Sequence, residues 1–136
     1  MAHEADIRAE LERLRTQVPE VSGALAAGVD GMVLAEDIPA AGPEAAAGVA
    51  ALTAAALGIG LRLTDATGRA AFRELLVRGE DGCVAIYAAG PVCALTVLAG
   101  PRVNVGRLHL EARRAGARIA QLIDGTQDRL EDARPS

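Results

Sequence analysis

Residues 45–61 form a long uncharged stretch in the middle of the chain, and most of them are alanine or glycine. Pro43 and Glu44 precede the stretch, and a proline next to an acidic residue is typical of a first helical turn. The pattern predicts a helix from residue 43 to about residue 63 or 65. Seventeen uncharged residues lie at the lower limit for crossing a bilayer, but alanine and glycine bury little apolar area. A helix buried inside a folded domain is therefore favoured over a membrane span.

This helix lacks a polar face, because small or apolar residues occupy every line along it. One line holds only small residues, namely Ala51, Ala55 and Gly58, and a second holds larger ones, namely Val49, Leu52, Ala56, Ile59 and Leu63. A helix that is apolar all round is buried on more than one side, whereas a single sheet covers only one side. The remaining surface therefore needs another partner, and the small residues permit a close approach between two helices.

The rest of the chain alternates between helical and extended patterns. Asp30 and Gly31 separate two apolar runs, which is a strong hairpin signal because a tight turn needs positive φ. The apolar spacing predicts a first helix that Pro19 ends, and a last helix that Asn104 caps and that ends near Asp124. The predicted strands are 22–29, 32–37, 72–78, 82–89 and 92–99. The element order is helix, strand, strand, helix, strand, strand, strand, helix.

The predicted fourth strand is apolar along its whole length, which requires helices on both faces of the sheet. The fold class is therefore α/β, with the sheet between helical layers. We expect residues 4–124 to form a single domain and the polar residues 125–136 to form a disordered tail.

Composition excludes several classes of function. The net charge of −4 argues against a nucleic-acid binder, which needs a basic surplus. Phe72 and Tyr87 are the only aromatic residues, too few for a platform on which bases or sugars stack. All 14 basic residues are arginine, so lysine Schiff-base chemistry is absent.

The residues that could carry catalysis or bind a metal are sparse. His3 and His109 show no zinc-like spacing with Cys83 and Cys93. A dyad of Ser22 and His109 stays open as an alternative, although no nucleophile-elbow pattern surrounds the serine. A hairpin centred near Gly90 would place Cys83 opposite Val97, so both cysteines are interpreted as buried small hydrophobes. We predict no catalytic, cofactor-binding or metal-binding residues.

Five short segments carry a family resemblance through their order and spacing: 18–24 (VPEVSGA), 30–35 (DGMVLA), 76–82 (LVRGEDG), 87–90 (YAAG) and 104–106 (NVG). With them the chain resembles the Roadblock (dynein light-chain) family, in a bacterial branch with an actinobacterial character. The resemblance covers about residues 4–124. It implies a five-stranded antiparallel-type sheet of order 2-1-5-4-3, with the first and third helices on one face and the second helix on the other.

The resemblance also implies a function. Similar proteins form homodimers through the second helix and third strand, and they bind Ras-like small GTPases as activators or scaffolds. In bacteria they occur beside such GTPases and sensor kinases, and no catalytic position carries over. The resemblance thus implies a cytoplasmic, non-catalytic regulator of a Ras-like GTPase, without nucleic-acid binding or direct membrane insertion. The alternative is a scaffold in a sensor-kinase complex that leaves GTP turnover unchanged; a small-molecule sensor is a weaker third hypothesis.

The homodimer interface is predicted from the resemblance together with the apolar helix. An antiparallel pairing of the two third strands centred on Leu76 would place Glu74 opposite Arg78 of the other chain. The predicted interface residues are Ala51, Ala55 and Gly58 of the second helix and Glu74, Leu75, Leu76, Val77 and Arg78 of the third strand.

Overall fold

The computed structural model describes residues 2–39 and 42–132, and it describes side chains from residue 3 to 39 and from 42 to 125. The predicted order of helices and strands is confirmed. The elements are α1 (Ala2–Gln17), β1 (Val21–Gly28), β2 (Val33–Asp37), α2 (Pro43–Ala66), β3 (Glu74–Gly79), β4 (Gly82–Ala88), β5 (Cys93–Ala99) and α3 (Val105–Asp132).

The five strands form one sheet of order β2-β1-β5-β4-β3, as predicted, and each neighbouring pair is antiparallel. β2 and β3 are therefore the two edge strands. The predicted register of the β4–β5 hairpin is wrong, because Cys83 pairs with Ala99 and not with Val97. The hairpin is centred on Pro91, one residue later than predicted, and moving a hairpin centre by one residue moves every partner by two. Both thiols are free and buried, as predicted.

α1 and α3 cover one face of the sheet and bury the apolar stripes that the sequence predicts. Ile7 and Leu11 of α1 and Val18, which follows the helix, are fully buried, as are Leu108 and Ile119 of α3. The side chain of Asn104 caps α3, with Oδ1 accepting a hydrogen bond from the backbone N–H of Arg107 at 3.0 Å. An ion pair between Glu10 and Arg118 joins the two helices at 2.7 Å. This layer contains the larger part of the core.

α2 lies alone on the other face and buries only one of its sides. Its buried residues are Ala46, Ala50, Thr53, Leu57 and Gly60. Ala46 and Ala50 pack on Leu25 and Ala27 of β1. Thr53 is held by a buried hydrogen bond of 2.6 Å between its hydroxyl and that of Thr96 on β5. The single chain thus covers one side of α2, and the prediction of burial on further sides requires a partner.

α3 continues to Asp132, past its predicted end near Asp124. Over residues 125–132 the structure has a helix where a disordered tail was predicted, and residues 133–136 lie outside the described residues. Gly125 is the only strong helix breaker between Asp124 and Asp132, and one interior glycine costs only about 1 kcal/mol. The next strong breaker, Pro135, lies beyond the described helix.

The hydrogen bond between Thr53 and Thr96 gives a stability prediction. Replacing either threonine with valine leaves the other hydroxyl buried without a partner, which should lower the free energy of unfolding by about 1–3 kcal/mol. The double replacement removes both polar groups and should recover most of this loss. Urea denaturation of the two single variants and the double variant measures the interaction energy between the two positions. Losses in the double variant that equal the sum of the two single losses would contradict the prediction.

Candidate functional site

The side of α2 that faces away from the sheet is apolar and exposed. Leu52 is 72% exposed, Ile59 60% and Leu63 58%. The three residues lie on one line of the helix, at spacings of seven and four residues. Three large aliphatic side chains this open to water on a single helix line form an exposed apolar patch, which is typical of an interaction surface.

Contacts at two places along α2 show which way this line points. Near the middle of the helix, Ala51 and Ala54 lie against the turn between β1 and β2, where a methyl group on Gly31 would be 3.6 Å from the Cα of Ala51. Near the C-terminal end, Leu63 lines a cleft together with Phe72 and residues at the start of β3. The side of α2 that carries Leu52, Ile59 and Leu63 therefore borders the β3 edge, and the side that carries Ala51 borders the β1–β2 turn.

β3 extends this apolar surface to the edge of the sheet. Val77 is 52% exposed and points to the α2 side of the sheet, where it pairs with half-buried Val84. We call Leu52, Ile59, Leu63 and Val77 together the α2–β3 surface. It combines an exposed helix face with a strand whose outer edge pairs with no other strand in the described chain.

The hairpin between β3 and β4 determines which backbone groups of the edge are free. Gly79 and Gly82 pair with only two residues between them, so they must exchange their own hydrogen bonds. Hydrogen-bonded and non-hydrogen-bonded pairs alternate along two antiparallel strands. Counting from Gly79, the N–H and C=O groups of Glu74, Leu76 and Arg78 therefore point away from the sheet. The edge can therefore accept another antiparallel strand.

The structure places the eight predicted interface residues in three settings. Ala51, Ala55 and Gly58 are exposed on α2, but Ala51 lies toward the β1–β2 turn. Leu75 and Val77 point to the α2 side of the sheet, and Leu76 packs on the core under α1 and α3. Glu74 and Arg78 are on the same side as Leu76, and Glu74 forms an ion pair with Arg113 of α3 at 2.5 Å. The strand residues thus lie together, whereas the small-residue line lies apart from them.

A comparison with protein families identifies the fold. The model of the Roadblock/LC7 domain matches residues 8–99. The chain belongs to the Roadblock/LC7 domain family. An uncharacterized protein of Methanocaldococcus jannaschii is 32% identical over 103 residues, which are 76% of this chain and 85% of that protein.

Solved structures show the same fold. The MglB gliding protein of Thermus thermophilus has a TM-score of 0.81 at 23% identity, covering 92% of this chain and 93% of that one. A Roadblock/LC7 domain from Streptomyces avermitilis has a TM-score of 0.72 at 22% identity, covering 91% and 97%. Another MglB structure, with a tetrameric arrangement, has a TM-score of 0.82 at 23% identity, covering 92% and 93%.

The residues considered for catalysis in this Roadblock/LC7 domain have structural partners. The Nδ1 atom of His109 lies 2.6 Å from the Tyr87 hydroxyl, and the two rings meet edge to face. Ser22 is exposed, and its hydroxyl donates to the carbonyl oxygen of Leu98 at 3.3 Å. Burial raises the pKa of Tyr87 far above its usual value. Each group thus stabilises the fold, and no contact joins Ser22 to His109 among the residues described here.

Metal binding and membrane crossing were also considered for this Roadblock/LC7 domain. Among the side chains that the structure describes (residues 3–39 and 42–125), no group of three or more histidines, cysteines, aspartates or glutamates could hold a metal ion. α2 is long and apolar enough to cross a bilayer, but core helices of soluble proteins meet the same criteria of length and composition. In this structure its buried side is bound to the sheet through the hydroxyl of Thr53.

Cys93 gives a prediction for alkaline pH. Burial raises the pKa of its thiol to about 11, whereas the pKa of a free cysteine thiol is about 8.5. Between these values the unfolded chain loses the proton and the folded chain keeps it, so stability falls as pH rises, by up to about 1.4 kcal/mol per pH unit. The Cys93→Ala variant has no thiol at this position and so lacks this pH dependence. Urea titrations should show that the variant is less stable than the original chain at pH 8.5 and that the difference in unfolding free energy shrinks by pH 10.5. A difference that stays constant would contradict the prediction.

Sequence reasoning did not place the larger apolar residues of α2 at the interface. Leu52, Ile59 and Leu63 belong to the line that could equally have packed on the sheet. The residue that shows which line faces the sheet is Thr53, whose hydroxyl is hydrogen-bonded to Thr96 on β5. This contact turns Thr53 inward and the line of Leu52 outward.

Proposed function

We propose that this chain is a non-catalytic, homodimeric regulator or adaptor of a Ras-like small GTPase in the bacterial cytoplasm. The observation that carries the proposal is the α2–β3 surface, where exposed leucine and isoleucine side chains adjoin an unpaired strand edge. A two-fold pairing of β3 would cover both features at once. Membership of the Roadblock/LC7 family supports the choice of a GTPase as partner, because the resemblance implies it.

The geometry of the β3 edge supports the proposed homodimer. Pairing centred on Leu76 uses the outward backbone groups of Glu74, Leu76 and Arg78 and continues the sheet into a second chain. It places Leu75 beside Val77 of the partner on the α2 side, which extends the apolar surface on which both α2 helices lie. Glu74 then faces Arg78 of the partner while keeping Arg113 of its own chain.

The two-fold symmetry of the proposed dimer determines how many GTPase molecules it can bind. Two antiparallel α2 helices side by side form one groove across the two-fold axis, whereas the outer ends of the dimer offer two equal patches. A GTPase in the central groove binds once per dimer, because a second copy would clash with the first. A GTPase at the outer patches binds twice.

The test uses the purified chain and a Ras-like GTPase loaded with GDP or a GTP analogue. Titration calorimetry should give binding with one GTPase per dimer, and adding the dimer should raise the rate of GTP hydrolysis. The dimer alone should hydrolyse no GTP. Binding without a change in hydrolysis or exchange would support the scaffold role instead. Absence of binding in either nucleotide state, or a monomer in sedimentation, would overturn the proposal.

A further inference from the structure

The segment that enters β3 carries two arginines without an acidic partner. Arg69 and Arg73 are exposed, and within the described part of the chain neither makes an ion pair. Both line a cleft of about 460 Å³ between the end of α2 and the start of β3. The apolar wall of the cleft includes Leu63 and Phe72. Glu74 also lines the cleft, but its carboxylate is paired with Arg113 of α3, so the cleft presents a net positive charge beside an apolar wall.

The backbone holds this segment in one conformation. The N–H of Arg69 donates to the backbone carbonyl oxygen of Thr64 at 2.8 Å, and the N–H of Gly68 donates to the backbone carbonyl oxygen of Asp65 at 3.2 Å. Phe72 packs against Gly60, where a methyl group would overlap the ring. Ala70 has a φ of +69°, which is uncommon for a residue with a Cβ. The two arginines thus project from a fixed segment.

The opposite end of β3 carries the complementary charge. Glu80 and Asp81 form the two-residue turn between β3 and β4, and both are exposed. Neither takes part in an ion pair among the described residues. In one chain this turn and Arg73 lie at opposite ends of a six-residue strand, about 20 Å apart.

Antiparallel pairing of two β3 strands brings these opposite charges together. The start of one strand lies beside the end of the other, so the arginines of one chain meet the acidic turn of its partner. With the pairing centred on Leu76, Phe72 lies opposite Glu80 of the partner subunit. Moving the centre by one residue to Leu75 or Val77 still places the turn beside the segment 69–74. A parallel pairing would bring arginine to arginine.

We propose that the Glu80–Asp81 turn of each protomer binds the arginine cleft of the other, with Arg69 and Arg73 as its ligands. The proposal rests on the homodimer proposed above and adds a binding site to it. The two-fold axis repeats the contact, so four acidic and four basic side chains take part. The apolar α2–β3 surface drives association, and these charges select the antiparallel pairing of β3.

Two charge-reversed variants test the site. The turn variant carries Glu80→Arg and Asp81→Arg, and the cleft variant carries Arg69→Glu and Arg73→Glu. Each alone places like charges together twice, so we expect its dimer dissociation constant to rise about tenfold at about 50 mM salt. The rise should shrink at about 0.5 M salt because exposed charges are screened.

Mixing the two variants gives the decisive measurement. The basic turn of one now meets the acidic cleft of the other, and the reverse contact is attractive as well. Native mass spectrometry should therefore find heterodimers in excess over both homodimers. Recovery in the mixture also shows that each variant is folded.

The control pair makes the same charge changes away from β3. It combines Glu4→Arg and Asp6→Arg in one chain with Arg13→Glu and Arg114→Glu in the other. This pair should show no heterodimer excess beyond the statistical ratio. An equal excess in the control pair, or turn and cleft variants that dimerise like the original chain, would overturn the charge contact while leaving the homodimer intact. An original chain that is itself monomeric would instead overturn the homodimer.

Discussion

Replacing Leu52 with arginine should convert the proposed homodimer into a monomer without unfolding the chain. Leu52 is 72% exposed in the single chain, so its replacement removes little buried area from the fold. In the proposed dimer the same position is covered, and a buried arginine without a partner should weaken association by about 2.8 kcal/mol, or about 100-fold. Analytical ultracentrifugation over a concentration series measures the change, and circular dichroism checks the fold.

Leu110 supplies the matched control. It is 48% exposed on α3, in the layer on the other face of the sheet, so Leu110→Arg makes the same chemical change away from the α2–β3 surface. This variant should remain a dimer. Dimers of equal stability from the Leu52→Arg and Leu110→Arg variants would contradict the assignment of the interface.

The same experiment shows which of the two lines of α2 forms the contact between protomers. Gly58 belongs to the predicted small-residue line, and a Cβ there would meet no atom within 4 Å in the single chain. Gly58→Arg should therefore leave the dimer intact if Leu52 and Ile59 form the interface. Loss of the dimer in the Gly58→Arg variant would restore the small-residue line as the contact between helices.

Sequence patterns predicted the fold wherever polar residues marked the outer side of an element. α1 and α3 alternate apolar and charged residues at helical spacing, so Ile7 and Leu108 could be placed in the core. The Asp30–Gly31 turn and the Asn104 cap have local physical causes that are readable without tertiary contacts. The family resemblance supplied the strand order, which these local patterns do not determine.

α2 could not be oriented from its sequence, because a helix without a polar face gives no sign of which side packs on the sheet. The side that binds the sheet includes Thr53 and Gly60, two residues that a search for large hydrophobes leaves out. Thr53 is tolerated there because Thr96 satisfies its hydroxyl, and Gly60 is needed because Phe72 occupies the space of a side chain. Both reasons depend on residues far away in the sequence. The candidate interface was therefore predictable on β3 but only in part on α2.

Replacing Gly82 with alanine should destabilise the chain more than any other single methyl addition in the β3–β4 turn. Gly82 has a φ of +153°, a conformation that L side chains rarely adopt, and the added methyl group would collide with the backbone carbonyl of Ala99. Backbone strain of this kind costs about 1–3 kcal/mol, and the collision with a central strand adds to it. We expect a loss of about 3 kcal/mol or more in unfolding free energy.

Gly79→Ala is the control for this change, because Gly79 closes the same turn and has ordinary space around it. A methyl group there would lie 3.5 Å from the carbonyl oxygen of Gly82, a normal contact distance. The unfolding free energy of the Gly79→Ala control should lie within about 1 kcal/mol of that of the original chain, as expected for a glycine without special conformation. Urea denaturation compares the two variants. Equal losses at Gly79 and Gly82 would contradict the backbone argument, because the two positions differ in φ and in their distance from β5 rather than in their place in the turn.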